Sequence, residues 1–461
     1  MTGAETVRRR VVLLVSVAGA MIVALDGTVL IVAQPGMRRD LGASVAQVQW
    51  TSTGYLLAVA ALLVIAGRLG DRYGHTRLLL TGVLGFGAAS AGIALAPGVG
   101  WVIGLRVVQG VFGALLQPAT LALLRLAYPA GRLGTAVAIR TGAIGVAAAA
   151  GPVLGGALVA HLGWRAVFVV NVPVALAIAA LTFAVRSPAP PRTEPRRIGL
   201  TGAALLAAAL AVLVHTVVGV PSRGWTAAPT LLGSGAVIGL AAALVLRERR
   251  TAHPIVPPVV ARSVPVMASM AILLVTTCGM FGALFVATFF LQDVLRLGPF
   301  AAGLRVLPLT ALMVLGAPVA GAALRRYGPR RTVVAGILLV VLGIVGMSRL
   351  GPAWAVTGAT FAVLGAGFAT VMVTTTGTVV GDAPPGYAGV VGGLKQTAMN
   401  IGPAFGIAVA ATMMPLGMAP GRGPALAVLA GLTALGLLPA ALLPTRPSPG
   451  ARRNTGRLRV P

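Results

Sequence analysis

Long apolar stretches, separated by short segments rich in arginine, make up almost the whole sequence. Of its 461 residues, 57% are hydrophobic and only 10% are charged, and the mean hydropathy is +0.95. A soluble domain carries about 25% charged residues, and roughly 20 apolar residues suffice for a helix to cross a bilayer. Because backbone groups in lipid must be hydrogen-bonded internally, the sequence predicts an all-α protein that crosses a membrane many times.

Fourteen stretches are long and apolar enough to be membrane-spanning helices. Their predicted ranges are 11–33, 47–67, 78–96, 101–125, 135–159, 166–185, 200–220, 229–246, 265–290, 303–324, 333–350, 354–380, 388–414 and 425–443. The short stretch 229–246 and the Thr- and Gly-rich stretch 354–380 are the weakest of them. A twelve-span alternative without the pair at 200–246 keeps the same orientation, because it removes an even number of spans.

The distribution of positive charge predicts which side of the membrane each loop faces. With the N-terminus in the cytoplasm, 25 of the 36 Lys and Arg residues fall in cytoplasmic segments or at the span ends beside them, 8 fall on the outer side, and 3 lie deep within spans. Cytoplasmic loops of membrane proteins carry such an excess. We therefore expect a multi-pass plasma-membrane protein with both termini in the cytoplasm. Its first apolar stretch is too long for a cleavable signal peptide.

A short basic loop occurs twice, 254 positions apart, each time between two apolar stretches. Five residues of the first copy have an identical partner in the second: Gly67, Arg72, Tyr73, Gly74 and Arg77. Such a duplication is typical of a transporter built from two repeated halves. Asp71 of the first copy is replaced by Arg325 in the second, which indicates that the two loops no longer have the same role.

The repeat and the Pro- and Arg-rich segments between apolar stretches predict four regions. Residues 1–198 form an N-terminal six-helix bundle, 199–250 two inserted linker helices, 251–444 a C-terminal six-helix bundle, and 445–461 a basic, disordered cytoplasmic tail.

Asp26 is the one acid that lies deep within a predicted span. A charge inside a bilayer costs several kcal/mol, so it needs a partner or a function. Burial favours the neutral form of a carboxyl group and a nearby cation favours the charged form, so an acid that alternates between the two can carry a proton. Arg106 in the fourth span is the natural partner, with Gln109 on the same helical face. The sequence leaves open whether Asp26 and Arg106 touch, and whether their role is proton coupling or only structural.

Several polar side chains near or within spans are candidates for lining a substrate cavity. They are Gln34, Gln109, Gln292, Lys395, Gln396 and Asn400. Hydrogen bonds that serve helix packing are the alternative role for them.

The fifth predicted span contains small residues that allow helices to approach closely: Gly151, Pro152, Gly155 and Gly156. Gly151 and Gly155 are four positions apart and form one small face. Pro152 removes a backbone hydrogen bond and allows a kink.

Other classes of function find no support in the sequence. The pI of about 12.0 is typical of nucleic-acid binding, but the arginines lie between membrane spans, which is their usual place in membrane proteins. There is no Walker A sequence, no metal-ligand spacing and no nucleophile–base set, so we expect neither an enzyme nor a cofactor. An ion gradient must therefore drive any pumping.

Six segments, taken in order along the chain, match signatures of one group of membrane proteins. They are 25–29, Gly67–Arg77, 106–110, 151–156, 164–173 and 290–308. Together they resemble the major facilitator superfamily and, within it, the fourteen-span drug:proton antiporters of the EmrB/QacA type. The chain departs from the pattern of that group at Ile31, Gln34, Arg325 and Met399.

The resemblance implies a fold and a mechanism. It implies two pseudo-symmetric six-helix bundles plus two inserted helices, with a central cavity that opens alternately to either side. It implies a monomer that exports a small amphiphilic drug or antibiotic in exchange for protons through Asp26 and Arg106, without a cofactor or nucleic-acid partner. A cytoplasmic gate is implied at the first basic loop, at Gly67, Asp71, Arg72, Gly74 and Arg77.

The charges of the second half narrow the expected substrate. That half has no acid in mid-span, but it contains Lys395. We therefore expect a neutral, zwitterionic, monocationic or weakly acidic amphiphile rather than a rigid dication. A lipid or metabolite carrier of the same fold, and a non-transporting membrane scaffold or sensor, are the alternatives.

Overall fold

The computed structural model describes residues 3–183, 200–224, 226–251, 254, 258–382, 388–414 and 424–445, and these residues form helices and contain no β-strand. The predicted linker 186–199 and the predicted tail beyond residue 445 lie outside this part of the chain. The helices are α1 (Gly3–Asp40), α2 (Val45–Tyr73), α3 (His75–Ala94), α4 (Val99–Ala127), α5 (Ala130–Leu162), α6 (Ala166–Val169), α7 (Asn171–Phe183), α8 (Leu200–Arg223), α9 (Ala228–Arg250), α10 (Pro258–Ala261), α11 (Val264–Phe289), α12 (Pro299–Gly346), α13 (Trp354–Gly381), α14 (Ala388–Met413), α15 (Pro424–Ala434) and α16 (Leu437–Ala440).

Each predicted span lies on one or two of these helices. The span predicted at 166–185 is divided between α6 and α7, and the spans predicted at 303–324 and 333–350 are joined in α12. Among the described residues, nine helical segments are long and apolar enough to cross a membrane. The all-α polytopic fold is thereby confirmed, while the count of fourteen spans stays a prediction.

The two copies of the basic loop share a backbone conformation. Gly74 ends α2 with a φ of 94°, and Gly328 interrupts α12 with a φ of 80°. A side chain is strained at such angles, so glycine is needed at both turns. In both loops an arginine guanidinium lies over the ring of the tyrosine that follows it, at 5.2 Å and 5.3 Å: Arg72 over Tyr73 and Arg326 over Tyr327. The repeat seen in the sequence therefore extends to local geometry.

α2 begins at a capping box that is encoded within four residues. Ser44 Oγ accepts a hydrogen bond from the Gln47 amide at 3.1 Å, and Gln47 Oε1 accepts one from the Ser44 amide at 2.9 Å. Two amide groups that a helix start leaves without partners are thus satisfied. This local signal sets the start of the helix that carries Thr51 and Tyr55, two residues that contact the site described below.

The helices form two compact units. Unit 1 consists of Met1–Arg250 and Thr288–Leu307, and unit 2 of Thr251–Ala287 and Pro308–Pro461. In unit 1, α1 packs against α5, and α2 and α3 pack against α4. The inserted helices α8 and α9 pack against each other, and α8 also packs against α2. In unit 2, α14 packs against α13 and α15. The domain boundaries predicted from the sequence stay a prediction.

Close contact between α5 and α1 depends on two glycines. A Cβ atom on Gly151 would collide with the Thr28 side chain, and one on Gly155 would lie 2.8 Å from Val29 Cγ1. Backbones that approach this closely gain van der Waals contact along their length, which is the main attraction between helices in lipid. The small face predicted from the sequence therefore meets α1.

A second face of α5 holds the segment Thr288–Leu307 within unit 1. A Cβ atom on Gly156 would lie 2.6 Å from the Pro299 carbonyl oxygen, and one on Gly303 would collide with the Pro152 backbone. The four small or kinked residues predicted for helix packing thus contact neighbours on two sides of α5.

We expect Gly155→Leu to destabilise the protein by about 1–3 kcal/mol, because the added side chain forces α1 and α5 apart. Gly142→Leu, in the same helix, is the matched control, since a Cβ there meets nothing within 4 Å. Thermal unfolding of the detergent-solubilised protein, followed by size-exclusion chromatography, measures the difference. Equal losses of stability in both variants would contradict the packing role.

Candidate functional site

A buried ion pair joins α1 to α4. Arg106 Nη1 donates to Asp26 Oδ2 at 2.6 Å, and the residues are 0% and 2% exposed, respectively. The sequence placed both charges within the apolar part of unit 1, and the structure answers the question of contact that the sequence left open. Because both side chains are buried, each charge must be compensated, and the two compensate each other.

Amide side chains complete the surroundings of the carboxylate. Gln109 Nε2 and Asn171 Nδ2 donate to Asp26 Oδ1 at 3.3 Å and 3.0 Å, respectively. Gln109 Oε1 accepts from Arg106 Nη1 at 2.5 Å, and both amide groups also donate to Ser90 Oγ, at 2.7 Å and 3.4 Å. Asp26 therefore receives hydrogen bonds from three side chains, as a buried carboxylate requires.

The guanidinium of Arg106 is held from the other side by α2 and by aromatic rings. Its Nε donates to the Thr51 carbonyl oxygen at 2.9 Å, and its Cζ lies 4.3 Å from the centre of the Tyr55 ring and 5.8 Å from that of Phe168. Ring faces attract cations, most strongly where water is absent. Arg106 Nη2 has no hydrogen-bond partner among the described residues, so it keeps donors for a water molecule or a bound compound.

Side chains from four helices meet in this cluster, and sequence reasoning recognised only part of it. Asp26 on α1 and Arg106 and Gln109 on α4 were predicted, whereas Ser90 on α3 and Asn171 on α7 were missed as site residues. Asn171 offered one signal, because an amide is costly within an otherwise apolar stretch. The Ser90 hydroxyl also donates to the Phe86 carbonyl within its own helix, a common helical contact that gives no such signal.

Two other glutamines predicted to line a cavity lie in unit 1, and neither forms a hydrogen bond with Asp26. Gln34 Nε2 donates to Ser52 Oγ at 2.8 Å, and Gln292 Nε2 donates to the Val32 carbonyl oxygen at 2.9 Å. Both side chains are buried, and neither Oε1 atom has a hydrogen-bond partner among the described residues. Each therefore retains an acceptor for a hydroxyl or N–H group.

The remaining residues predicted for the cavity lie on α14 in unit 2. Lys395 Nζ donates to Thr376 Oγ1 on α13 at 2.7 Å, and Asn400 Nδ2 donates to the Gln396 carbonyl oxygen at 2.9 Å. Asn400 is buried, and Lys395 and Gln396 are partly exposed.

The residues predicted for the gate lie where α2 ends and α3 begins. Arg72 and Arg77 are exposed there, on either side of the turn at Gly74, and Gly67 lies within α2. The side chain of Asp71 lies outside the described part of the chain. The gating role stays a prediction.

The end of α1 carries an ion-pair cluster that sequence reasoning did not find. Arg38 Nη2 and Arg39 Nη1 donate to the two carboxylate oxygens of Asp293, at 2.8 Å and 3.3 Å. Asp293 lies in a π-helical turn, Phe290–Val294, and π-turns are frequent at functional sites. These contacts tie the segment Thr288–Leu307 to α1.

Comparisons with known proteins place the chain in a class. The model of the Major Facilitator Superfamily matches residues 17–407. The chain is 42% identical to the tetracenomycin C resistance and export protein of Streptomyces glaucescens over 87% of this chain and 75% of that protein. It is 33% identical to the multidrug efflux pump LfrA of Mycolicibacterium smegmatis over 88% of this chain and 81% of that pump. The crystal structure of a peptide transporter POT in complex with sulfate has a TM-score of 0.65 at 14% identity, over 94% of this chain and 93% of that one, which shows the fold alone.

The chain belongs to the major facilitator superfamily. It is a multi-pass membrane transporter rather than an enzyme, and the resemblance drawn from six sequence segments is confirmed.

We expect Arg106→Met to lower stability by about 3–5 kcal/mol, because it leaves the Asp26 carboxylate buried without its cation. The double variant Asp26→Leu with Arg106→Met removes both charges and is expected to regain most of that loss. Thermal unfolding of the single and double variants beside the wild-type protein tests this. A double variant no more stable than Arg106→Met would contradict mutual compensation.

Proposed function

We propose that this chain exports a small amphiphilic drug or antibiotic across the cell membrane in exchange for protons. The relatives support the substrate class, since one is described as a resistance and export protein and another as a multidrug efflux pump. The observation that carries proton coupling is the buried pair of Asp26 and Arg106. Arg106 does not usefully lose its proton, and the amides around the pair do not ionise, so Asp26 is the proton carrier.

The contacts of the pair support a cycle in which Asp26 changes partners. A proton on Asp26 removes the charge that attracts Arg106. The guanidinium then keeps the Thr51 carbonyl, the Gln109 amide and the Tyr55 ring as partners, so it is not left isolated. Asp26 then keeps only the longer contact with Gln109 on α4, so it is held less firmly there. A shift between two such arrangements is what a carrier needs to take up and release a proton on opposite sides.

The cavity residues are proposed to recognise the polar parts of the substrate. Gln34 and Gln292 each have a carbonyl oxygen available for a hydroxyl or N–H group, while Lys395, Gln396 and Asn400 offer donors and acceptors in unit 2. This set favours a neutral, zwitterionic, monocationic or weakly acidic amphiphile over a rigid dication, which would meet Lys395 with like charge.

The membrane arrangement is part of the proposal. The fourteen spans would place both termini and the gate loop Gly67–Arg77 in the cytoplasm. The transporter would act as a monomer, with the proton gradient as its energy source and without a cofactor, a metal or a nucleic-acid partner.

One proton per cycle supplies enough energy for useful export. A proton that moves down a potential of about 150 mV releases roughly 3.5 kcal/mol. At about 1.4 kcal/mol per factor of ten, this sustains a gradient of a neutral substrate on the order of a few hundred-fold.

Transport into inverted membrane vesicles tests the proposal. We expect wild-type vesicles with an acidic interior to accumulate tetracenomycin C or puromycin. In Asp26→Asn vesicles, the uptake that depends on the proton gradient is expected to fall at least roughly ten-fold. Asp40→Asn is the matched control, because Asp40 lies on the same helix but is exposed and paired with Arg165.

Each outcome has a distinct consequence. Full uptake by Asp26→Asn vesicles would show that another acid couples transport to protons, and Asp71 and Asp293 would be the next candidates. Strong uptake of a rigid aromatic dication would contradict the proposed substrate class. Absence of uptake of every drug, with uptake of lipids or metabolites instead, would favour a carrier of those compounds, and absence of all transport would favour a scaffold or sensor.

A further inference from the structure

Tyr55 on α2 meets the buried polar cluster of unit 1 through the face of its ring. The guanidinium carbon of Arg106 lies 4.3 Å from the centre of this ring and 5.8 Å from the centre of the Phe168 ring. Tyr55 is 3% exposed and Arg106 is 0% exposed. A ring face attracts a cation most strongly at short range and away from water, so Tyr55 is the stronger aromatic partner of Arg106.

One face of α4 is shaped to receive Tyr55. Gly110 and Gly113 follow Arg106 at intervals of four and three residues, so the three lie on one face of the helix. A Cβ atom on Gly110 would lie 2.6 Å from the Tyr55 carbonyl oxygen, and one on Gly113 would lie 2.9 Å from the Tyr55 hydroxyl oxygen. A side chain at either position would displace Tyr55. The two glycines therefore allow α2 to bring the ring to Arg106.

The ring, rather than the hydroxyl group, is the part of Tyr55 that contacts a polar partner. The Tyr55 hydroxyl oxygen is buried and has no hydrogen-bond partner among the described residues. A buried phenol usually finds such a partner, so the hydroxyl group does not explain why this residue lies here. The contact with Arg106 therefore predicts that phenylalanine can replace Tyr55 and that an aliphatic side chain cannot.

The partners of Arg106 respond differently to protons. The attraction of the Asp26 carboxylate is lost when Asp26 is protonated, whereas a ring face attracts a cation in either case. The Thr51 carbonyl and the Gln109 amide accept hydrogen bonds from Arg106, but they carry no charge. With Asp26 neutral, Arg106 is a buried cation without an anion, and its long side chain tends to move toward water. The ring of Tyr55 then attracts the charge itself and opposes this movement.

We propose that Tyr55 is a positioning residue that keeps Arg106 beside α2 while Asp26 carries a proton. The inference rests on the proposed exchange of drug for protons and adds a residue to that site. Because Arg106 stays in place, the ion pair forms again when the Asp26 carboxyl group gives its proton to water. Loss of the ring would therefore slow the proton-dependent part of the transport cycle and leave substrate binding unchanged.

Thermal unfolding of the detergent-solubilised protein tests the positioning role without transport. Asp26→Asn supplies a neutral side chain of similar shape and so imitates the protonated state. We expect Tyr55→Leu to lower the unfolding temperature about 2–4 °C more in the Asp26→Asn protein than in the wild-type protein, because the ring is then the main partner of the charge. Tyr55→Phe is expected to change the unfolding temperature by less than about 1 °C in both proteins.

Leu63→Ala is the matched control, because Leu63 is 5% exposed and lies about two turns further along α2. It is expected to lower the unfolding temperature equally in both proteins. The inference is overturned if Tyr55→Leu costs no more in the Asp26→Asn protein than in the wild-type protein, or if Tyr55→Phe costs as much as Tyr55→Leu. No substrate or proton gradient is involved, so a failure of the proposed export function leaves this result unaffected.

Transport into inverted vesicles gives a second test. Uptake driven by the proton gradient requires Asp26 to gain and lose a proton, whereas exchange of labelled for unlabelled puromycin without a gradient uses only the drug-loaded states. We expect Tyr55→Leu to reduce the maximal rate of gradient-driven uptake roughly ten-fold. Exchange and the half-saturating puromycin concentration are expected to change less than about two-fold, and Tyr55→Phe to retain both activities. Loss of exchange as strong as the loss of gradient-driven uptake would contradict the positioning role.

Discussion

The buried pair of Asp26 and Arg106 is the interaction around which unit 1 is built. Neither charge is stable alone in an apolar interior, so α1 and α4 must place them together, and the neighbouring helices must supply the remaining donors and acceptors. Ser90, Asn171 and the Thr51 carbonyl do so from α3, α7 and α2. The contacts that stabilise the unit are thus the same contacts that a proton on Asp26 would weaken. Stability and the proposed proton coupling therefore depend on one set of atoms.

α5 differs from that polar cluster, because its closest contacts with its neighbours are made at glycines. Its glycines pack against α1 on one side and against Thr288–Leu307 on the other. Contacts of this kind are held by dispersion forces, so they separate without leaving an unsatisfied polar group. The segment Thr288–Leu307 is also tied to α1 by the ion pairs of Asp293. In the proposed transport cycle, the glycine contacts of α5 could separate at low cost. The ion pairs of Asp293 would oppose separation of α1 from the segment Thr288–Leu307.

The strong excess of arginine becomes informative once the pairs are known. Asp26, Asp40 and Asp293 each lie against particular arginines, whereas Arg140 and Lys395 lie against threonines in both repeats. Net charge alone distinguishes none of these arginines, because most of them reflect the orientation of the chain in the membrane. Their partners identify the arginines that form structural ion pairs.

Hydropathy and charge were sufficient to predict the all-α membrane fold, and the six signature segments were sufficient to predict the family. In lipid, the backbone N–H and C=O groups of such long apolar stretches are satisfied by hydrogen bonds within helices, so composition determines the class of structure. Asp26 and Arg106 were also predictable, because a charge within an apolar span is conspicuous. Only the tertiary structure decided which side chains meet, as with Asn171 from α7 and Asp293 at the end of α1. Contacts between residues more than 100 positions apart depend on helix rotation and packing, which short-range sequence patterns do not encode.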